Sequence, residues 1–591
     1  MKAILPYLKK RRWLIAAVML VKLIGTLGEL LIPSVLEYLI DTVAPTRQRG
    51  MVFLWGGAMI ALAVFVRAVN VTANRMSVRV ARESTFEIRR DLFHASLNLS
   101  GGQMDAFGLP SITSRMTSDS YNVQSFIQAS QTIGIRAPFM LMGGILITLL
   151  MDRGLAAILC VMAPVLIALV IGISMRGIPL YDKVQQGLDD MVRVMRENIT
   201  GIRVVKALSK EDYEMRRFRA VNETAAARDI RAGIVMALPG PIVTLFLNVG
   251  LTLVVVFGAR RVNAGVTQPG VILAFLTYFN MIMMGVMGLN RIFMMMSKAN
   301  ASAKRIAAVI DAPEALPPLP EAEAAHTDRE GFLVFDHVSF NYDGNARQGG
   351  QGADDTARFA GSSRQKALDD IDFAVKKGGS LGIIGATGSG KTTIVNLLMR
   401  FYDPQQGHVF VDGRDVRTYE KDELHRKFGV VFQNDVVFVD SVRGNIDFGR
   451  NVSEDAVRRA AGDAMAAEFV EAYEDGYDHR AAIQGANFSG GQRQRLLIAR
   501  ALAADPEILI LDDASSALDY RTDAALRRAI REHHSRATTL VIAQRVSSIM
   551  ALDNILVLDE GRMIGCGTHE QLLKTCPVYR DIYQSQMGEV A

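Results

Sequence analysis

Long apolar runs fill the chain before about residue 300, each near the roughly 20 residues that cross a bilayer as a helix. Spans are predicted near 13 to 40, 51 to 71, 134 to 151, 154 to 175, 234 to 258 and 270 to 296, and six crossings put both chain ends on one side. A chain of 591 residues with 50% hydrophobic content and a mean hydropathy of +0.18 fits a membrane portion joined to a soluble one, not a string of soluble domains.

Lysine and arginine set the expected orientation. Lys9, Lys10, Arg11 and Arg12 precede the first span, and Arg75, Arg79, Arg82, Arg89, Arg90, Arg115 and the stretch from Arg176 to Arg231 follow spans two and four, so these segments are predicted to be cytoplasmic. The short loops near 42 to 50, 152 to 153 and 259 to 269 then face outward, with Arg47, Arg49, Arg260 and Arg261 weakening the contrast. Residues 1 to 12 mix Ile4, Leu5, Tyr7 and Leu8 with the basic cluster, as an amphipathic elbow on the inner surface would. No cleavable signal is expected, because the first apolar run is too long and has no clear small-residue cleavage site. The net charge of +5 belongs to basic residues that fringe membrane spans and meet anionic headgroups, so nucleic acid is not expected as a partner. Cys160, Cys566 and Cys576 have no metal-ligand spacing, and neither a disulfide nor a zinc site is expected.

About 60 residues of helical periodicity separate spans two and three, and again spans four and five. They are predicted to carry the spans deep into the cytoplasm and turn back near Met104–Asp119 and Glu197–Lys206, with Gly108, Pro110 and Gly201 as the breaks. Residues 311 to 330 hold Pro313, Pro317, Pro318 and Pro320 and read as a semi-rigid linker. An α/β composition follows from 331 to 591, interrupted at 343 to 366 by a Gly, Gln, Asp and Arg-rich stretch expected to be a disordered surface insertion.

The soluble half carries the chemistry. Leu381–Ile384 reads as a buried strand, Gly385-Ala386-Thr387-Gly388-Ser389-Gly390-Lys391-Thr392 as a phosphate-binding loop, and Thr393 to Arg400 as the helix behind it. Loop amides of Gly385, Gly388, Ser389 and Gly390 and the helix N-terminus suit phosphate oxygens, Lys391 neutralises the outer phosphates, Thr392 reaches magnesium, and Thr393 lies beside it. A second strand, Ile508–Leu511, ends in Asp512, expected in the magnesium shell, with Asp513 next to it. ATP and magnesium are therefore the expected cofactors. Between the two strands stands Ser489-Gly490-Gly491-Gln492-Arg493-Gln494-Arg495, whose serine hydroxyl and glycine amides at a helix start suit a γ-phosphate.

This last run closely resembles the signature of ATP-binding cassette proteins, and with six spans before the nucleotide domain nearly the whole chain resembles an ABC exporter half-transporter. The resemblance implies a six-helix membrane domain over 13 to 310 fused to an α/β nucleotide domain over 331 to 591, and a signature that closes on the nucleotide of the opposite subunit. It assigns Tyr342 to adenine stacking, Gln433 to sensing magnesium and the membrane domain, Ser516-Ala517-Leu518-Asp519 to the dimer contact, and the two cytoplasmic turns to coupling helices. Ala301-Ser302-Ala303-Lys304-Arg305-Ile306 also fits the exporter pattern after the last span.

Departures from the pattern carry the functional expectation. Phe488 replaces a leucine but keeps an apolar packing residue, and Ile483 stands near where exporters often carry an acidic coupling residue. Asp513 stands where the catalytic glutamate is usual and is shorter by one methylene, roughly 1.5 Å. Gln544 stands where the switch histidine is usual and cannot carry imidazolium charge. Such a chain is expected to hold ATP yet hydrolyse it poorly at its own site, as the degenerate subunit of heterodimeric exporters does, with a second half-transporter as partner and an amphipathic drug, lipid or peptide as cargo. A slow homodimeric exporter and an ATP-gated channel or regulator are the other readings. Lys22, Glu29, Glu37, Asn70, Arg136, Asn248, Asn280, Asn290 and Arg291 in the spans are expected to face other helices or a cavity. The methionines from Met281 to Met296 offer either ordinary packing or a pliable surface. A bacterial inner or plasma membrane is the expected location, with the N-terminus and nucleotide domain cytoplasmic.

Overall fold

The computed structural model describes residues 4–313, 316–342 and 366–587; the predicted insertion, apart from Lys366, lies outside the described residues. The chain forms two compact units, one of residues 1–94 and 112–310, the other of residues 95–111 and 311–591.

The first unit is wholly helical. Six helices among the described residues are long and apolar enough to cross a membrane: Arg12–Thr46, Arg49–Leu97, Leu109–Met151, Arg153–Thr200, Glu211–Asn263 and Pro269–Ile310. At 1.5 Å per residue the 49-residue helix Arg49–Leu97 is about 70 Å long, more than twice a hydrocarbon core of about 30 Å. The excess carries the polar second half of that sequence out of the apolar layer. Pro164 and Pro179 lie inside the helix Arg153–Thr200 without ending it, whereas Gly201 closes it and opens the short helix Ile202–Ala207. Gly108, at φ 73°, closes Gly101–Phe107; Pro110 differs from expectation, lying at the second position of Leu109–Ser114, where its missing N–H costs no helical bond.

Several polar residues of the spans bond to one another. Lys22 Nζ, buried, donates to Asn70 Oδ1 at 2.7 Å and Asn74 Oδ1 at 3.2 Å. Arg136 Nε meets Glu29 Oε2 at 2.9 Å. These pairs tie the first helix to the second and third, the low-cost state for charge in hydrocarbon. Asn280, by contrast, donates to Leu276 O of its own helix.

The second unit holds two sheets. β1 (Leu333–Phe340), β2 (Leu368–Val375), β4 (Gln406–Val411) and β5 (Arg414–Asp415) form an antiparallel sheet in the order β2-β1-β4-β5. β3 (Ser380–Gly385), β6 (Phe428–Val431), β7 (Ile508–Asp512), β8 (Thr538–Ile542), β9 (Asn554–Asp559) and β10 (Arg562–Gly567) form the other, in the order β10-β9-β3-β8-β7-β6. Its strands run parallel except β10, which returns antiparallel on β9. Every residue of β7 is buried, as a continuous Ile-Leu-Ile-Leu run requires of a strand covered on both faces. The Pro-rich segment before β1 is pinned to this unit by Leu319 N on Arg417 O at 2.8 Å and by Arg400 Nη2 on Pro317 O at 2.9 Å.

Candidate functional site

The ends of β3, β7 and β8 converge on a cleft of about 300 Å³ lined by Tyr342, Lys391, Thr392, Thr393, Gln433, Asp512, Asp513 and Gln544 among others. Gly385 closes β3, the helix begins at Lys391, and five residues of loop, 386 to 390, join them. That helix ends at Leu398, earlier than expected, and Arg400 turns to φ 53°. Gly388 and Gly390 have φ of 86° and 96°, and a Cβ on Gly390 would sit 2.5 Å from Ala367 O, so no side chain fits there. Ser389 is buried in the loop.

Lys391 Nζ is folded back on its own loop, donating to Gly385 O at 2.9 Å and Ala386 O at 2.7 Å. Burial lowers its ammonium below the ordinary lysine value, with Asp512 and Asp513 opposing. An anionic ligand in the cleft would favour the charged ammonium and compete with the carbonyls for it.

Thr392 Oγ1 donates to Asp512 Oδ2 at 3.0 Å. Asp512 is buried, and that burial, with repulsion from Asp513, raises its carboxyl above the ordinary aspartate value against the bond from Thr392. A buried carboxylate beside a hydroxyl, with the amide oxygen of Gln433 on the same cleft, is a hard oxygen donor set that fits magnesium.

The two departing residues meet. Gln544 Nε2 donates to Asp513 Oδ2 at 3.0 Å, and Asp513 N donates to Ile542 O at 2.9 Å. Asp513 takes φ 55°, a left-handed conformation that aspartate tolerates better than most residues. Gln586, from the last helix Pro577–Met587, braces this loop by donating to Gln544 O at 2.7 Å and accepting from Val546 N at 2.8 Å. Sequence reasoning missed Gln586, which no local motif marks.

Tyr342 lies on the cleft with its hydroxyl on Thr393 Oγ1 and Asn396 Nδ2, each at 3.2 Å, and its ring edge-on to Tyr402 at 5.2 Å. Tyr402, also missed, donates to Asp105 Oδ2 at 2.6 Å, and Gly101 N donates to Phe401 O at 3.2 Å. The turn Gly101–Phe107 is thereby joined to the aromatic cluster beside the cleft. Ser100 caps that helix in a reciprocal pair with Gln103.

Ser489, Gly490, Gly491 and Gln492 do not line this cleft. Ser489 caps the helix Gly490–Leu502, its Oγ accepting from Gln492 N at 3.2 Å while Gln492 Oε1 accepts from Ser489 N at 2.9 Å. Ser489 and Gly490 are exposed. Gln494 joins this helix to the loop after β7, donating to Ser516 Oγ at 3.0 Å and accepting from Ala517 N at 2.9 Å. Phe488 is buried against Phe469, Tyr473 and His479, and Ile483 is 75% exposed.

The chain matches the ABC transporter transmembrane region over residues 15–287 and the ABC transporter domain over residues 368–516. It is 32% identical over 585 residues to an ABC transporter ATP-binding protein of Mycobacterium tuberculosis, covering 98% of this chain and 97% of that one. It belongs to the ABC transporter family. This ABC transporter is also 32% identical over 527 residues to the ATP-dependent lipid A-core flippase of Methylobacillus flagellatus, covering 88% of the chain and 85% of the flippase. A solved bacterial Atm1-family ABC exporter with ATP bound has the same fold, at a TM-score of 0.79 and 24% identity over 98% of this chain and 99% of that one. The ABC transporter is thus an integral membrane protein whose soluble unit is an ATPase and whose activity is ATP-driven export.

Proposed function

We propose that this chain is one half of a heterodimeric exporter, holding ATP at a slow site of its own while its Ser489–Gln492 signature completes the competent site of a partner half-transporter. The hydrogen bond between Gln544 and Asp513 is the observation that carries this reading. A general base needs a carboxylate within reach of the water proton. Here the carboxylate is short, one of its oxygens is held by an amide, and that amide has no ionisable proton to exchange.

Binding asks less of the site. Loop amides and Lys391 hold the phosphates, the Tyr342 ring takes the adenine, and Thr392, Asp512 and Gln433 hold magnesium, which when bound neutralises phosphate charge. The exposed signature, lying off the chain's own cleft, supports its use by a second subunit. Residues 13–310 form the translocation pathway and 331–591 the motor, with the turns at 101–107 and 202–207 as coupling helices and both domain ends cytoplasmic at a bacterial inner or plasma membrane. The cargo is an amphipathic drug, lipid or peptide; the flippase relative supports the lipid end of that range.

The test is isolation of the complex from native membrane and steady-state ATPase of the chain alone and in the complex. The expected result is a second half-transporter in the complex and turnover at least about tenfold higher there. Equal turnover in the chain alone would mean a homodimeric exporter that uses Asp513 as its base.

A further inference from the structure

A second cavity, of about 250 Å³, lies in the nucleotide unit behind the wall that carries Asp513 and Gln544. Its lining is about half apolar, the apolar part coming chiefly from Leu511, Leu526, Ile530, Val541, Ile542 and Leu552. Ile542 also lines the nucleotide cleft, and its carbonyl accepts from Asp513 N at 2.9 Å. Leu511 and Ala514, both on the cavity, flank the Asp512–Asp513 pair. Ile542 is the residue that the two linings share.

The polar groups on this cavity are unequally satisfied. Asp523, buried, is neutralised by Arg527 at 3.0 Å, and Asp553 accepts from both Ser380 N and Ser380 Oγ at 2.8 Å. His534 Nε2 faces Asp463 Oδ2 at 3.0 Å. What remains is the Ser548 hydroxyl, in a residue only 4% exposed and with no hydrogen-bond partner among the described residues. His534 Nδ1 is likewise buried without a hydrogen bond, the nearest carboxylate, on Asp505, being 4.0 Å away. Arg531, on the rim, has no ion pair among the described residues. A buried hydroxyl without a partner costs about 1 to 3 kcal/mol, which a ligand acceptor would recover. Asp553 has no ion pair either but is held by Ser380, so among the described residues Arg531 is the charged group on this cavity left without a polar partner, and its free donors suit an anion.

We propose that this cavity is a regulatory site for a small amphipathic anion, an apolar body of one or two rings or a short alkyl chain bearing a single carboxylate. The body would fill the apolar floor and the carboxylate would take Arg531 and the Ser548 hydroxyl. The size fits, since drug-sized ligands occupy pockets of roughly 300 to 1,000 Å³ and this one lies just below that range. Because Ile542 is shared, an occupant acts on the loops of Asp513 and Gln544 without touching nucleotide.

The probe is 2-naphthoate, titrated calorimetrically against the full chain in lipid nanodiscs with empty nanodiscs subtracted, and 2-naphthalenemethanol is its uncharged counterpart. One saturable site per chain is expected, weakened at least about tenfold for the alcohol and for Arg531→Glu, and lost when Ala551→Phe fills the mouth. Saturating naphthoate should also change the rate at which bound radiolabelled ATP is lost by at least about twofold, whatever the basal rate, and Arg531→Glu should remove that response while leaving the basal rate unchanged. No saturable binding, equal binding of acid and alcohol, or an unmoved rate at saturation would each overturn the proposal.

Discussion

Gln544 Nε2 and Asp513 Oδ2 stand 3.0 Å apart on the lining of the cleft, and the proposed slow site rests on this pair. Lengthening the carboxylate and restoring an ionisable ring together, as Asp513→Glu with Gln544→His, is expected to raise single-turnover hydrolysis by about two decades, the scale of one positioned acid or base. Either change alone should give much less, because each leaves the other defect in place; rapid quench of the full chain measures it. Asp512 supplies a pH test. A carboxyl held above its ordinary value by burial contributes stability at low pH that is lost as pH rises through its raised value. The nucleotide-free chain should therefore weaken over that window while Asp512→Asn does not, and magnesium-dependent nucleotide binding should rise over the same window. Thermal unfolding and nucleotide titration across pH read the two opposite slopes, and parallel slopes would contradict the assignment.

Among elements, the turn Gly101–Phe107 has the most to say about coupling, because Tyr402 stands between it and Tyr342. Burial first, and Asp105 second, raise the Tyr402 hydroxyl above its usual value, so it stays protonated and donates. Tyr402→Phe removes that donor at a cost of about 1 kcal/mol. Nucleotide affinity should stay within about twofold, while stimulation of ATPase by transported substrate should fall; unchanged stimulation would remove Tyr402 from the coupling path. The long membrane helices, β3, β7 and the nucleotide loop were legible in the sequence, because apolar length, buried strand runs and glycine spacing are local signals. The Tyr402–Asp105 contact was not, since it joins residues 297 apart. Gln586 was hidden for the same reason: it is one glutamine on an amphipathic helix until the fold brings it to the Gln544 loop. Of the polar residues in the spans, composition marked the cost of Lys22, Glu29, Asn70 and Arg136, but only packing revealed which of them bond together.

For the whole molecule, the proposed heterodimer assigns the signature and the catalytic loop of one chain to different ATP molecules. Gly490→Asp in this chain should therefore lower ATPase of the assembled transporter by two or more decades, by placing negative charge against a γ-phosphate, whereas Asp513→Ala should cost less than about threefold. Steady-state ATPase of the purified complex compares them, and equal losses would put hydrolysis at this chain's own site. The most direct measurement is the fate of nucleotide at that site. The full chain in nanodiscs is loaded with radiolabelled ATP and magnesium, freed of unbound nucleotide, and sampled for the ATP to ADP ratio over time. The expected result is label retained mainly as ATP for minutes, abolished by Lys391→Ala, and converted to ADP within seconds in the Asp513→Glu, Gln544→His chain. Conversion to ADP within seconds in the unaltered chain would contradict a slow site held by the Gln544–Asp513 pair.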